Sequence, residues 1–477
     1  MNPLCKYRSF FTLCAAFLVW GAPVRAETLM EAVEEALGNN PTLDVAASRF
    51  EAARHEQDME ESGVYPEISA SVTLGRVYQD NATSRGLSVD RGAAYSGYGE
   101  GMVALRQSIF DGNETSNRIE AAKARVRSFE SNIADVRERL LFRVTSAYLE
   151  VMRSRAALDY LKQQRASMVS YHERILAMVE EGVSDESEAQ QAQDVVIVMN
   201  GLVNDYESAL KIAEADYKEV TGRMPGESLV RPASLRVRIP QDLSAEIQAV
   251  ISSHPALKAA EMESKAAKMD LEAQKAGYFP DVTGELSYLR SDKKDVIGGE
   301  VEDARAVVRM NWIFATGGEQ EASVERSSAE YRGAQAQLEE LRRSLEKTVT
   351  QAYADLKTFT QKRDLAVERV TLNEKLLSNY KLQFESARVG LLHLMRAESQ
   401  LYKARIELSD ARYRGLLSEY AVQAAQGTLD RVLMSGEKAE AARKDKAQNE
   451  SMDIKSAESV PQSAEQTEPA AGQSREE

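Results

Sequence analysis

His55, His172, His254 and His393 are the only histidines in the chain, and no two of them stand at a spacing that would share a metal ion. Cysteine occurs twice, at Cys5 and Cys14, both within the first 26 residues. The sequence holds no glycine-rich phosphate loop, nucleophile elbow or zinc signature. Carboxylates are plentiful, with 75 Asp and Glu against 60 Lys and Arg. On helical faces such acids are ordinary solvated partners of neighbouring bases, not a general acid and base. The residues therefore nominate no catalytic group, no cofactor and no metal, and the chemistry left to the chain is that of shape and surface charge.

The elements that would position such surfaces begin with a leader. In residues 1–26, Lys6 and Arg8 precede an apolar run from Phe10 to Ala22, and Ala26 closes a short exit. This pattern predicts a secretory signal peptide cut after Ala26, since a membrane-spanning helix needs about 20 apolar residues. Cleavage would remove both cysteines, which suits an oxidising compartment and excludes disulfides. The formal charge of −15 would become −18, because the leader carries Lys6, Arg8 and Arg25 and no acid. Such a chain is a poor binder of nucleic acid. Aromatic residues make up only 6% of the chain, and Ala, Glu, Arg, Gln and Leu prevail, the bias of long helices.

Between Asn113 and Glu181 there is neither Gly nor Pro, and between Glu319 and Val389 only Gly333. Apolar residues recur three or four apart in both, as at Leu140, Val144, Tyr148 and Val151, and at Leu345, Val349, Ala352 and Leu356. Each stretch predicts a coiled-coil-like rod, and a helix of some 70 residues reaches about 100 Å. Each rod turns into a shorter helix, giving αα-hairpins over 113–222 and 318–427. Upstream of each rod the period drops to two, which predicts strands at about 66–78, 98–110, 281–290 and 303–314.

The chain states this plan twice. GVYPE at 63–67 returns as GYFPD at 277–281, and Pro41 returns as Pro255, all 214 residues on. Ala147 and Tyr148 return as Ala352 and Tyr353, and Ala192 as Ala397, 205 residues on. The predicted organisation is a first repeat over 27–222, a linker over 223–244 broken by Pro225, Pro232 and Pro240, a second repeat over 245–434, and a disordered tail over 435–477. In each junction Gly is expected to end the helix and Pro to start the strand. Aromatic residues at these junctions, Tyr65, Phe110, Tyr278, Phe279, Trp312 and Phe314, are expected at a membrane interface.

About ten residues suffice for a tilted strand to cross a bilayer, but four strands cannot close a barrel and lipid tolerates no open edge. Three copies would supply twelve strands, continued by helical columns. With IFDG at 109–112, IFATGG at 313–318, the doubled Ala-Tyr pairs and LYKARIELSDARYRGLLSEYAVQAAQGTL at 401–429, the chain resembles the TolC family of outer-membrane channel-tunnel proteins over about residues 28–429. The resemblance implies a mainly α fold with a small β part: a homotrimeric outer-membrane β-barrel continued by a periplasmic α-helical coiled-coil tunnel. It implies a passive exit duct, with a periplasmic adaptor and an inner-membrane transporter as partners, and outer-membrane lipid around the barrel. AYLEVMRSRAALDYL and YHERILAMVEEGVSDESEAQQAQ look most like members that serve type I protein secretion with an ABC-type transporter. Small-molecule efflux is the alternative, and a soluble periplasmic coiled-coil scaffold a distant one.

The resemblance also places adaptor docking at the hairpin tips, Gly182, Val183, Ser184 and Asp185 in the first and Ala387, Arg388, Val389, Gly390 and Leu391 in the second. The periplasmic aperture would be lined by Glu188, Gln191, His393 and Arg396, with both of the family's acidic places lost from the second hairpin. Arg396 is expected to pair with Glu188 or Asp185 and hold the tips together.

Overall fold

The computed structural model describes residues 26–79, 94–293, 300–386 and 388–435. The predicted signal peptide up to residue 25, the segments 80–93 and 294–299, Ala387 of the second tip and the predicted disordered tail beyond Ser435 lie outside the described residues.

The element order is α1 (Leu29–Asn39), α2 (Pro41–Ser62), β1 (Glu67–Gln79), β2 (Ala94–Phe110), α3 (Glu114–Glu180), α4 (Glu186–Thr221), α5 (Leu243–Ser253), α6 (Pro255–Lys275), β3 (Asp281–Lys293), β4 (Glu300–Asn311), α7 (Glu319–Glu385) and α8 (Leu391–Ala425). Local chemistry sets the boundaries. Thr28 and Glu31 form a capping box at the start of α1, each backbone N–H donating to the other's side chain at 2.9 and 3.2 Å. Asn40 Oδ1 accepts from Thr42 N at 3.0 Å to cap α2, and His254 Nδ1 accepts from Ala256 N at 3.2 Å to cap α6. These caps are repeat equivalents, each followed by a proline in the first turn, where its missing N–H costs nothing.

Two compact units are built from these elements. One comprises the residues up to Asn39 together with 143–235 and 362–414. Its core is a helical seam of Leu161, Met168 and Ile175 from α3, Met199 and Val203 from α4, and Met395 and Tyr402 from α8. The other comprises 40–142, 236–361 and the chain from Gly415 onward. It holds the sheet and a smaller core in which Val349, Tyr353 and Leu356 of α7 meet Val250 of α5 and Val422 of α8.

The sheet is antiparallel in the order β1-β2-β3-β4, so strands of the two repeats pair directly through β2 and β3. The register sets Ile68, Leu105, Leu286 and Ala306 in one row, and Ala70, Val103, Tyr288 and Ala304 in the next. On the other face Ser69, Ala104, Ser287 and Arg305 align, as do Glu67, Arg106, Glu285 and Val307. β1 and β4 are the edges.

Two expectations are corrected. β2 begins at Ala94, four residues before its predicted start, and β3 runs on to Lys293. The fourth strand stops at Asn311, so Trp312 and Phe314 stand just past it, before Gly317 and Gly318 turn the chain with φ of 65° and 91°. Gly63 ends α2 as expected, with right-handed φ of −63°. Both junction glycines also make room for the long helices. A Cβ on Gly63 would lie 3.3 Å from the Thr115 methyl, and one on Gly277 would lie 2.4 Å from Gln320 Oε1.

Candidate functional site: the strand belt, the helical tips and the linker lock

An up-and-down sheet places the start of β1, the end of β2, the start of β3 and the end of β4 at one rim. Tyr65, Phe110, Tyr278, Phe279, Trp312 and Phe314 all stand there, and all are exposed in the single chain. Trp312 Nε1 donates to the Tyr278 carbonyl at 3.2 Å, and its ring lies 4.6 Å from that of Phe314. The rim is thus a girdle of aromatic residues tied to the backbone of the neighbouring junction. From it rises a band of apolar side chains, with Ile68, Val72 and Leu74 each 70% or more exposed. The opposite face carries Arg106 and the Arg309–Glu285 pair at 3.2 Å. A sheet apolar on one side, polar on the other and open at both edges is the pattern of a barrel wall.

The first tip is a tight reversal. Gly182 takes φ 71°, and Val183 N and Ser184 N both donate to the Met178 carbonyl, at 2.8 and 3.1 Å. Val183 is 69% exposed beyond the turn. In the second tip Arg388 N donates to the Gln383 carbonyl at 2.9 Å, while Leu391 is buried as α8 begins. Ser184 Oγ donates to Glu188, and a Cβ on Gly390 would lie 3.6 Å from Glu188 Oε1, so the two tips adjoin.

Here the expected latch is corrected. Arg396 Nη2 donates to Gln191 Oε1 at 3.1 Å, and neither Glu188 nor Asp185 is its partner. Glu188 is already engaged by Ser184 of its own turn, so the cross-hairpin bond falls to the next residue down the same face of α4, three positions on. His393 begins α8 with its backbone N–H on the Gly390 carbonyl at 3.1 Å.

A third feature, the linker lock, escapes sequence reasoning. The carboxylate of Glu27, a residue only 5% exposed, accepts from Tyr217 Oη at 2.6 Å, Arg223 Nη2 at 2.7 Å and Gly226 N at 2.7 Å. Its backbone N–H donates to the Ser228 carbonyl, and its carbonyl accepts from Val230 N. Tyr148 Oη lies 2.7 Å from the Glu27 carbonyl and 2.6 Å from that of Val230. The first described strand-like contact of the chain is thereby clamped to the inter-repeat linker. The doubled Ala-Tyr pair is the one sequence signal that falls on it, through Tyr148. Tyr353, the repeat equivalent of Tyr148, does similar work in its own unit, accepting from Gln426 Nε2, which also donates to Glu246 of α5.

Among the described residues no helix is long and apolar enough to cross a membrane, and no cluster of His, Cys, Asp or Glu could hold a metal ion. The first statement concerns helices alone and leaves the strand belt as the membrane-facing candidate.

Comparison with known proteins agrees with this geometry. The outer membrane efflux protein BepC of Brucella suis is 22% identical over 427 residues, covering 87% of this chain and 89% of its own. The outer membrane protein TolC of Vibrio cholerae is 22% identical over 435 residues, covering 87% and 94%. The solved Campylobacter jejuni CmeC outer membrane channel superposes with a TM-score of 0.76 at 16% identity, covering 84% of this chain and 86% of its own. The profile of the outer membrane efflux protein family matches residues 32–223 and 247–428, one match to each repeat. The chain therefore belongs to the outer membrane efflux protein family, the TolC-like outer-membrane channels in which a β-barrel is continued by a periplasmic helical tunnel.

Proposed function

We propose that the chain is the outer-membrane exit duct of a tripartite export system and works as a homotrimer. The observation that carries this reading is the sheet: four strands with a continuous apolar row and two unpaired edges, which lipid does not tolerate until neighbouring copies complete the barrel. The duct is passive. A periplasmic adaptor meets the tips around Gly182 and Gly390, and an inner-membrane transporter of the ABC type drives the cargo.

Type I protein secretion is the preferred cargo class, on the likeness of residues 147–161 and 171–193 to members serving that route. Small-molecule efflux is the second reading, favoured by the name of the BepC relative. Deleting the gene and comparing exported proteins with drug tolerance separates them. Loss of one large secreted protein with unchanged drug tolerance supports secretion. Raised drug sensitivity with an unchanged set of exported proteins supports efflux.

A further inference from the structure

Within the helical unit, a cleft of about 360 Å³ lies among Tyr160 of α3, Arg231 of the linker, and Arg405, Ser409, Arg412 and Tyr413 of α8. Three arginines line it, in a chain whose formal charge is −15. Glu374 pairs with Arg405 at 2.9 Å. No acid partners Arg231 or Arg412 among the described residues. The cleft therefore holds an excess of two positive charges, with two phenol hydroxyls beside them and Leu408 and Ser409 buried at its floor.

The repeat supplies an internal control. At the offset of 205, the places of Arg405, Arg412 and Tyr413 are taken in the first repeat by Asn200, Glu207 and Ser208. Glu207 there forms an ordinary pair with Lys162 at 2.9 Å. The αα-hairpin thus folds without an arginine cluster at this position, and packing does not demand one. Guanidinium groups bind carboxylate and phosphate through paired hydrogen bonds. The volume suits a small molecule at the lower end of ordinary ligand pockets.

We propose that this cleft is a binding site for a small soluble anion bearing two or more carboxylate or phosphate groups, held by Arg231, Arg405 and Arg412 with Tyr160 and Tyr413 as hydroxyl donors. Its occupant ties the linker to α8. The inference does not depend on the cargo or on the exit-duct reading.

The test uses the full-length protein in detergent, titrated with pyrophosphate and separately with citrate at constant ionic strength, reading thermal unfolding and calorimetric binding. One or both anions should bind saturably, at one site per chain, and raise the unfolding temperature. Arg412→Gln should weaken the apparent affinity about tenfold or more, the usual effect of losing one charge-assisted bond. Tyr413→Phe should weaken it less, and Arg143→Gln, which removes a surface arginine of the same unit paired with Glu219, should not change it. If neither anion binds saturably to the unaltered protein, as when acids of a neighbouring copy already fill the cleft, the proposal is overturned. Binding of equal strength in Arg412→Gln also overturns it.

Discussion

Arg396 Nη2 donates to Gln191 Oε1 at 3.1 Å, joining α8 to α4 one turn below the hairpin tips. The acceptor is a neutral amide, so the bond depends less on salt than an ion pair would. An exposed interaction of this kind is worth up to about 1 kcal/mol, and three copies acting together in a trimer would shift an open–closed balance by a few kcal/mol. In planar-bilayer recordings Arg396→Ala and Gln191→Ala should each raise the open fraction several-fold, and the double variant should add little. Glu188→Ala should have a smaller effect. Additive effects of the first two would show that the pair is not a latch.

The linker lock should be a stability element. Glu27→Ala leaves Tyr217 Oη and Gly226 N without their acceptor, and Arg223 with only the more distant Glu35 at 3.6 Å. Arg223 is partly exposed, which limits the loss to about 2–3 kcal/mol. Tyr148→Phe should cost about 1–2 kcal/mol. Denaturant titration of the purified protein measures both. Losses below a few tenths of a kcal/mol would mean that the linker is held elsewhere.

Two buried titratable groups of the sheet-bearing unit act in opposite directions with pH. Glu138 accepts from Leu429 N and Asp430 N at 2.9 and 3.2 Å, and burial, reinforced by the nearby charges of Asp430 and Asp135, lifts its pKa from 4.5 to about 7. The folded form holds the proton more tightly, so this contribution is complete below pH 4.5 and is lost as pH rises through 7. A shift of that size corresponds to about 3 kcal/mol. Burial lowers the pKa of His254 below 6.5, so its contribution is complete above pH 6.5 and is lost on acidification. Glu138→Gln should abolish the decline in stability between pH 4.5 and 7, and His254→Asn should keep the cap while flattening the acid side. Unfolding midpoints across this range provide the check, and unchanged slopes would refute the assignment.

Glycine positions should differ in sensitivity. Gly112 has φ 68°, and a Cβ there would lie 2.9 Å from the Ala276 carbonyl oxygen, whereas Gly182 has φ 71° and open space around it. Gly182→Ala should cost about 1 kcal/mol of left-handed strain and leave assembly intact. Gly112→Ala adds a backbone clash and should sharply lower the yield of membrane-inserted protein. Equal yields from the two would contradict the close approach.

Trp312 is the only tryptophan after residue 26. With its ring against Phe314 at the aromatic rim, its fluorescence should be quenched by lipid labels placed shallowly in the periplasmic leaflet and much less by labels at the bilayer centre. Quenching by aqueous reagents alone would place the rim outside the membrane.

The doubled plan was legible in the sequence because periodicity reports burial directly. A stretch without Gly or Pro and with apolar residues every three or four positions can only bury one stripe of a helix, and a period of two can only present one face of a strand. Pro41 and Pro255, each behind a capping side chain, marked helix starts for the same local reason.

Partner choice was not legible, because it depends on which distant segments the fold brings within about 3 Å of one another. Nothing near Arg396 in the sequence distinguishes Gln191 from Glu188, and the engagement of Glu188 by Ser184 decided between them. Nothing near Glu27 announces Tyr217 or Gly226, which lie 190 and 199 residues away. The junction glycines could be seen in the sequence, but their reason could not. Periodicity describes one element at a time, whereas the clearance between Gly277 and Gln320, like the pairing of β2 with β3 across the two repeats, exists only once separate elements have packed.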